Sequence, residues 1–285
     1  MDVGDYYSKS VESFRRNWKI AVPQVIASAL TIFLFIVAFF LIISILPLNL
    51  NTMGNITPSA FIQMNSNALW TAGAILLVIE ILIFIITAIK TAATVGMAES
   101  MIMKGSTGLD VAWKAGKKYF PRIFVVSIIM TILTTIVAIP LIWGFYLLLI
   151  NEILGAFSVL LLGSIIFIVG YVLISLIFFV FNQSIVIGQK SVIDSIKDSF
   201  QVFWDNKLTV FLVALINAVI GFAIGFVLGI IISPLTLVTG PLGVQVVSQT
   251  AGFFINIILI PYFTLVITYM YIDLKKGFAA DEIEM

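Results

Sequence analysis

Glu80 is the one carboxylate set deep within an apolar run, about midway along Leu69–Ala92. A charged carboxylate in the middle of a membrane helix costs about 2.5–3.5 kcal/mol on insertion scales, so such a group faces a bundle interior and is by default a functional candidate. No Lys or Arg stands at matching depth to neutralise it. Lys90 is ten residues further on, about 15 Å at ~1.5 Å per residue, and its long stem allows it to snorkel to the membrane surface. Glu80 is therefore protonated and hydrogen-bonded to Thr, Ser or Asn on other segments, or it opens onto a water-filled cavity. By depth the candidate neighbours are Thr131, Thr134, Thr135 and Asn217. The chemistry available to such a set is proton or ion handling, with a purely structural hydrogen bond as the simpler alternative.

Other chemistry is narrowly bounded. The chain has no His and no Cys, which removes imidazole bases, thiol nucleophiles, disulfides and the usual zinc ligands. The carboxylates Glu80, Glu99 and Asp110 are scattered, and no acid–base pair is visible. No enzymatic activity, cofactor or metal site is expected. A net charge of +1 argues against nucleic acid, whose phosphates demand concentrated basic surface.

The elements that would position these residues are membrane helices. The 285 residues are 61% hydrophobic and 10% charged, with a mean hydropathy of +1.19; soluble chains carry about a quarter charged residues. Six segments reach the ~20 apolar residues needed to cross a bilayer: Ala21–Leu46, Leu69–Ala92, Ile123–Leu149, Ile153–Phe181, Leu208–Ile232 and Ala251–Leu274. The alternating pattern of a membrane barrel is absent, which leaves helices. The first run exceeds the ~7–15 residues of a signal-peptide core, so it is expected to stay as a span.

Charge orients the bundle. Pro47–Ala68, Asn151-Glu152 and Ser233–Thr250 contain no Lys or Arg, and Ser233–Thr250 reads as a Gly- and Pro-bearing loop. Lys9, Arg15, Arg16, Lys19, Lys104, Lys114, Lys117, Lys118, Arg122, Lys190, Lys197, Lys207, Lys275 and Lys276 fill the other connections and both flanks. The positive-inside rule places both termini in the cytoplasm, in a multi-pass protein of the plasma membrane.

The charged stretches repeat. Asp2-Val3-Gly4-Asp5, Thr107-Gly108-Leu109-Asp110 and Ser191-Val192-Ile193-Asp194 each pair an N-cap residue with a carboxylate three positions on. In that register Asn17 aligns with Asn206. Apolar stripes follow: Val3, Tyr7, Val11 and Phe14; Leu109, Trp113, Gly116 and Phe120; Val192, Ile196, Phe200 and Phe203. These predict three cytoplasmic amphipathic helices lying in the interface, aromatic residues toward the acyl chains. Lys114, Lys117, Lys118 and Arg122 form a basic cluster for anionic lipid. The fold expected is an all-α polytopic membrane bundle. It is one domain over 1–278, with pseudo-three-fold units of about 2–104, 105–187 and 188–278 and a disordered acidic tail at 279–285.

Three smaller signals remain. Gly221, Gly225 and Gly229 share one face of span five and predict close packing inside the bundle. Pro140 and Pro261 predict kinks. Asn55-Ile56-Thr57 is a glycosylation sequon on the outer side.

The ending Tyr271-Ile272-Asp273-Leu274-Lys275 resembles the Y-x-D-L-R/K close of a broad prokaryotic family of six-span proteins, similar to the membrane domain fused to some glycerophosphodiester phosphodiesterases. Phe14-Arg15-Arg16-Asn17 fits the same pattern. The resemblance implies an all-helical membrane domain. These residues include no soluble hydrolase barrel, so phosphodiesterase activity is not expected. Tyr271 suits an interfacial aromatic belt and Lys275 and Lys276 suit headgroups. Asp273 is expected in a local ion pair or at the N-terminus of an amphipathic helix. The function expected is a scaffold, accessory or envelope-organising membrane protein, its partners the lipid bilayer and a protein at the cytoplasmic helices. The alternative is a small transporter or channel built on Glu80.

Overall fold

The computed structural model describes residues 1–45, 66–150 and 153–281. It consists of helices α1 (Val3–Arg16), α2 (Val22–Ile45, led in by a turn of 3₁₀ helix at Trp18–Ala21), α3 (Ser66–Lys104), α4 (Leu109–Leu149), α5 (Ile153–Ile177), α6 (Phe181–Val186), α7 (Val192–Asp205), α8 (Lys207–Ile232) and α9 (Thr236–Asp281). Six stretches are long and apolar enough to cross a membrane: Trp18–Ile45, Ser66–Lys104, Leu109–Leu148, Gly155–Val186, Lys207–Ile232 and Thr250–Lys275. Among the described residues there is no strand. The sequon at Asn55 and the Asn151-Glu152 link lie outside the described residues.

The charged stretches fold in two ways. Asp2 caps α1 as expected: its carboxylate accepts the Asp5 N–H at 2.9 Å, and Asp5 accepts the Asp2 N–H at 3.2 Å. Ser191 accepts the Asp194 N–H at 3.3 Å at the start of α7. Asn17 and Asn206 leave helical geometry (φ −146° and −128°) and end these two helices. In the middle copy the aligned position is Arg122, which remains helical. With nothing there to end the turn, α4 runs unbroken for 41 residues through Pro121 into its span, so the second amphipathic helix is not a separate element. Thr107 is not its cap either. Gly108 precedes α4 without a side-chain bond, and the Thr107 carbonyl instead accepts the Asn17 amide at 3.1 Å.

Two further boundaries differ from the sequence expectation. The fourth crossing breaks at 178–180 between α5 and α6. The loop expected at Ser233–Thr250 is helical, a 3₁₀ turn at Ser233–Leu235 leading into α9. At its other end α9 continues to Asp281, and residues 282–285 lie outside the described set.

Packing is concentrated at one end. The fully buried clusters are built from Ala88–Ala98 of α3, Ala112–Val126 of α4, α6, the start of α8 and Leu265–Tyr271 of α9. Residues Ala92 to Ala98 are buried without a gap. Small side chains make this possible: Gly96 lies directly against Ala115, and Gly116 against Ile89. Farther along, α4 and α5 still pack closely, Gly144 against Leu160 and Gly163 against the Leu141 backbone, but only 6–17% of each span's most apolar window is buried. Lipid must cover the remainder. Exposed tryptophans mark both levels: Trp18, Trp113 and Trp204 lie near the packed end, and Trp70 and Trp143 lie toward the other ends of α3 and α4.

Candidate functional site

At the packed end α7 is the keystone. Its buried residues are Ser195, Asp198, Ser199 and Val202, and Val192, Ile196 and Phe203 of the expected stripe pack against the core beside them. The expected stripe residue Phe200 is exposed and stacks on Trp204, with ring centroids 5.8 Å apart. In α1 likewise Tyr6 and Ser10 are buried while Val11 is exposed.

Asp198 is 3% exposed. One carboxylate oxygen accepts Lys275 Nζ at 2.5 Å and also Lys190 Nζ; the other accepts the Tyr271 hydroxyl at 2.9 Å. Burial alone would raise the Asp198 pKa. The bonds from Lys190, Lys275 and Tyr271 outweigh it and bring the pKa down to about 2. Two ammonium groups face one carboxylate, so the cluster carries a net positive charge. Gly188 belongs here because a Cβ on it would meet the Tyr271 hydroxyl at 2.9 Å and the Ser184 carbonyl at 2.6 Å.

Ser199, one residue on, repairs the helix break. Its hydroxyl donates to the Ile177 carbonyl at 2.6 Å and accepts the Val180 N–H at 3.3 Å. Backbone groups freed between α5 and α6 thus find partners on α7. Arg122 completes the corner by donating to the Gln189 and Lys190 carbonyls at 3.1 Å each. Gln189 has φ +50°, which makes this a tight turn held from outside.

The first surface helix is held by tyrosines. Tyr6 donates to Asp273 at 2.8 Å, Tyr7 to Asn217 at 2.9 Å, and Ser13 shares a 2.7 Å bond with Tyr269. Burial and, for Tyr6, the Asp273 carboxylate raise both tyrosine pKa values above the ordinary range. The C-terminal motif is therefore a double latch. Tyr271 and Lys275, one turn apart, hold α7 through Asp198, while Asp273 between them holds α1. This corrects the interfacial placement expected for Tyr271, which is 2% exposed. Asp273 caps no helix N-terminus, but it makes an ion pair with the Met1 ammonium at 3.0 Å, the other of the two roles expected of it. The signal that could have identified Asp198 was a lone Asp on the otherwise small, uncharged face Ser195, Ser199 and Val202.

The expected intramembrane set is dispersed. Glu80 is exposed on an apolar groove of ≈ 640 Å³ between α2, α3 and α4, and of its expected neighbours only Thr131 lines that groove. Thr131 and Thr135 bond the carbonyls four residues back on their own helix, at 2.9 and 2.8 Å. Thr134 is half-buried without lining the Glu80 groove, and Asn217 is engaged by Tyr7. In the basic cluster Lys118 donates to Gln189 at 3.3 Å, Lys117 sits over Trp113, Lys114 is exposed, and Arg122 is the structural clamp just described. Gly221, Gly225 and Gly229 meet nothing within 4 Å, so they do not pack inside the bundle as expected.

A different cavity gathers polar groups. Between α2, α3 and α9 a space of ≈ 660 Å³ is lined by Gln24, Ser28, Thr31, Thr87, Lys90 and Asn256. Lys90 therefore lines an intramembrane cavity, where the sequence suggested only snorkelling.

Six lipid-covered crossings knitted together at one end define a multi-pass helical membrane protein. The chain belongs to the family described as a domain of unknown function, DUF7847, which it matches over residues 1–274. No curated protein and no solved structure matches it.

Proposed function

We propose that this chain is a non-catalytic scaffold or accessory protein of the plasma membrane, with both termini cytoplasmic and three related units. Its packed end presents a rigid collar to a protein partner. The observation that carries this reading is the use made of its polar residues. Asp198, Asp273, Tyr6, Tyr7, Ser199 and Arg122 all fasten surface helices to spans, whereas most of each span's apolar window is exposed. Rigidity is thus invested where soluble partners can reach.

A single-cysteine scan tests orientation without background, since the chain has no Cys. Lys9→Cys and Lys197→Cys should react with an impermeant maleimide only after the cytoplasmic side is exposed. A photo-crosslinker at exposed Lys197 should trap a discrete protein, while one at Leu161 on the lipid face should trap lipid. Absence of any protein adduct at the collar would overturn the scaffold reading. The transporter alternative rests on Glu80, and Glu80→Gln tests it: we expect unchanged folding and no change in solute flux across reconstituted vesicles. Loss of a measurable flux in that variant would restore the alternative.

A further inference from the structure

The cavity between α2, α3 and α9 holds a cation with no counter-charge. Lys90 forms no ion pair among the described residues. The carboxylates of its own helix, Glu80 and Glu99, are ten and nine residues away, about 15 and 14 Å at ~1.5 Å per residue. Ile20, Met97 and Leu265 share one core cluster at the packed end and so mark a common level. From it Gln24 lies four residues inward, Lys90 seven and Asn256 nine, or about 6, 10 and 14 Å on the same rise. Three helices therefore direct polar groups to one band inside the span. An ionised group at such depth calls for a partner.

The chemistry of that partner follows from the donors and acceptors present. Lys90, the Asn256 amide and the Thr87 hydroxyl can all donate, which suits an anion with several acceptor oxygens. Gln24 adds the opposite demand. It is 5% exposed, its amide nitrogen donates to Ser28 at 3.1 Å, and its carbonyl oxygen is buried without a partner. That oxygen requires a donor such as a hydroxyl. Further from the packed end the wall is mostly apolar, through Ile32, Phe35 and Phe254, with Thr250 beyond them, so the space is amphipathic along its length.

We propose that this cavity binds an anionic phospholipid with a hydroxylated headgroup, its phosphate at Lys90, a headgroup hydroxyl on Gln24, and an acyl chain along Ile32 and Phe35. The site is independent of the collar, and loss of the scaffold reading would leave it untouched.

The test uses the full chain, delipidated in detergent, with lipid retention read by native mass spectrometry and thermal stability read in parallel. Phosphatidylglycerol should be retained and should raise the Tm, whereas phosphatidylcholine should do neither. Lys90→Gln should weaken phosphatidylglycerol retention roughly ten-fold, the effect of losing a charge-assisted bond. Lys197→Gln on the exposed surface should leave retention unchanged. Should Lys90→Gln fail to fold, Asn256→Leu and Thr87→Val carry the same readout. Equal retention of the two lipids, or unchanged retention in all the cavity variants, would overturn the proposal. So would a Lys90-dependent rise in Tm produced by inorganic phosphate alone with no further rise from lipid, which would mark a free-anion site.

Discussion

Asp198 shows how strongly one buried side chain can be committed. Its carboxylate is the shared acceptor for Lys190, Lys275 and Tyr271, so Asp198→Asn leaves two ammonium groups facing each other without an anion. Removing one member of a buried ion cluster costs about 3–5 kcal/mol, and we expect a lowered Tm with α7 released, measurable by protease sensitivity near Lys197. The pH dependence has a definite sign. The folded pKa of about 2 lies below the reference value of 3.8; the stabilisation is therefore complete above pH ~4 and fades as pH falls toward 2. The Asp198→Asn protein should lack that acid-dependent component. Ser199 is committed in another way, as a hydroxyl spanning two backbone groups. Ser199→Ala should cost about 1–3 kcal/mol, the range for leaving buried polar groups unsatisfied, and amide exchange at Val180 should accelerate.

At the scale of elements, α1 and α7 were legible from their caps and from Asn17 and Asn206, while the polar part of the face each turns to the bundle was not. An apolar stripe identifies the protein-facing side of a helix only when water covers the other side. Next to lipid the argument loses precision: hydroxylated residues and Asp198 face the protein beside Val3, Phe14, Val192, Ile196 and Phe203, while Val11, Phe200 and Trp204 remain exposed. These aromatics should meet lipid. In single-Trp variants retaining Trp113 or Trp204, fluorescence should be quenched more by lipids brominated near the glycerol than by lipids brominated near the chain terminus. The reverse order would place these residues in the wrong environment. The continuity of α4 was hidden for a related reason. Its start carries the marks of a separate surface helix, and only the absence of an Asn at position 122 indicates that the helix does not stop.

At the scale of the whole molecule, close packing is unevenly shared among the helices. Two glycine substitutions measure this directly. Gly96→Ala forces a methyl group against Ala115 and should cost about 1–3 kcal/mol by overpacking, lowering the Tm; Gly225→Ala meets open space and should leave the Tm within the scatter of repeat measurements. A comparable loss in both would show that α8 packs against something beyond this chain. The sequence by itself determined the lipid solvent, the helical class, the six crossings and the segregation of charge, because each follows from composition and spacing along one strand of chain. The tertiary structure decided which polar residues meet. It separated Glu80 from Asn217, brought Asp198 to Tyr271 across 73 residues, and placed Lys90 in a cavity shared by three helices. Such meetings depend on how helices rotate and cross, and in a chain whose spans are apolar on every side no periodicity records that rotation.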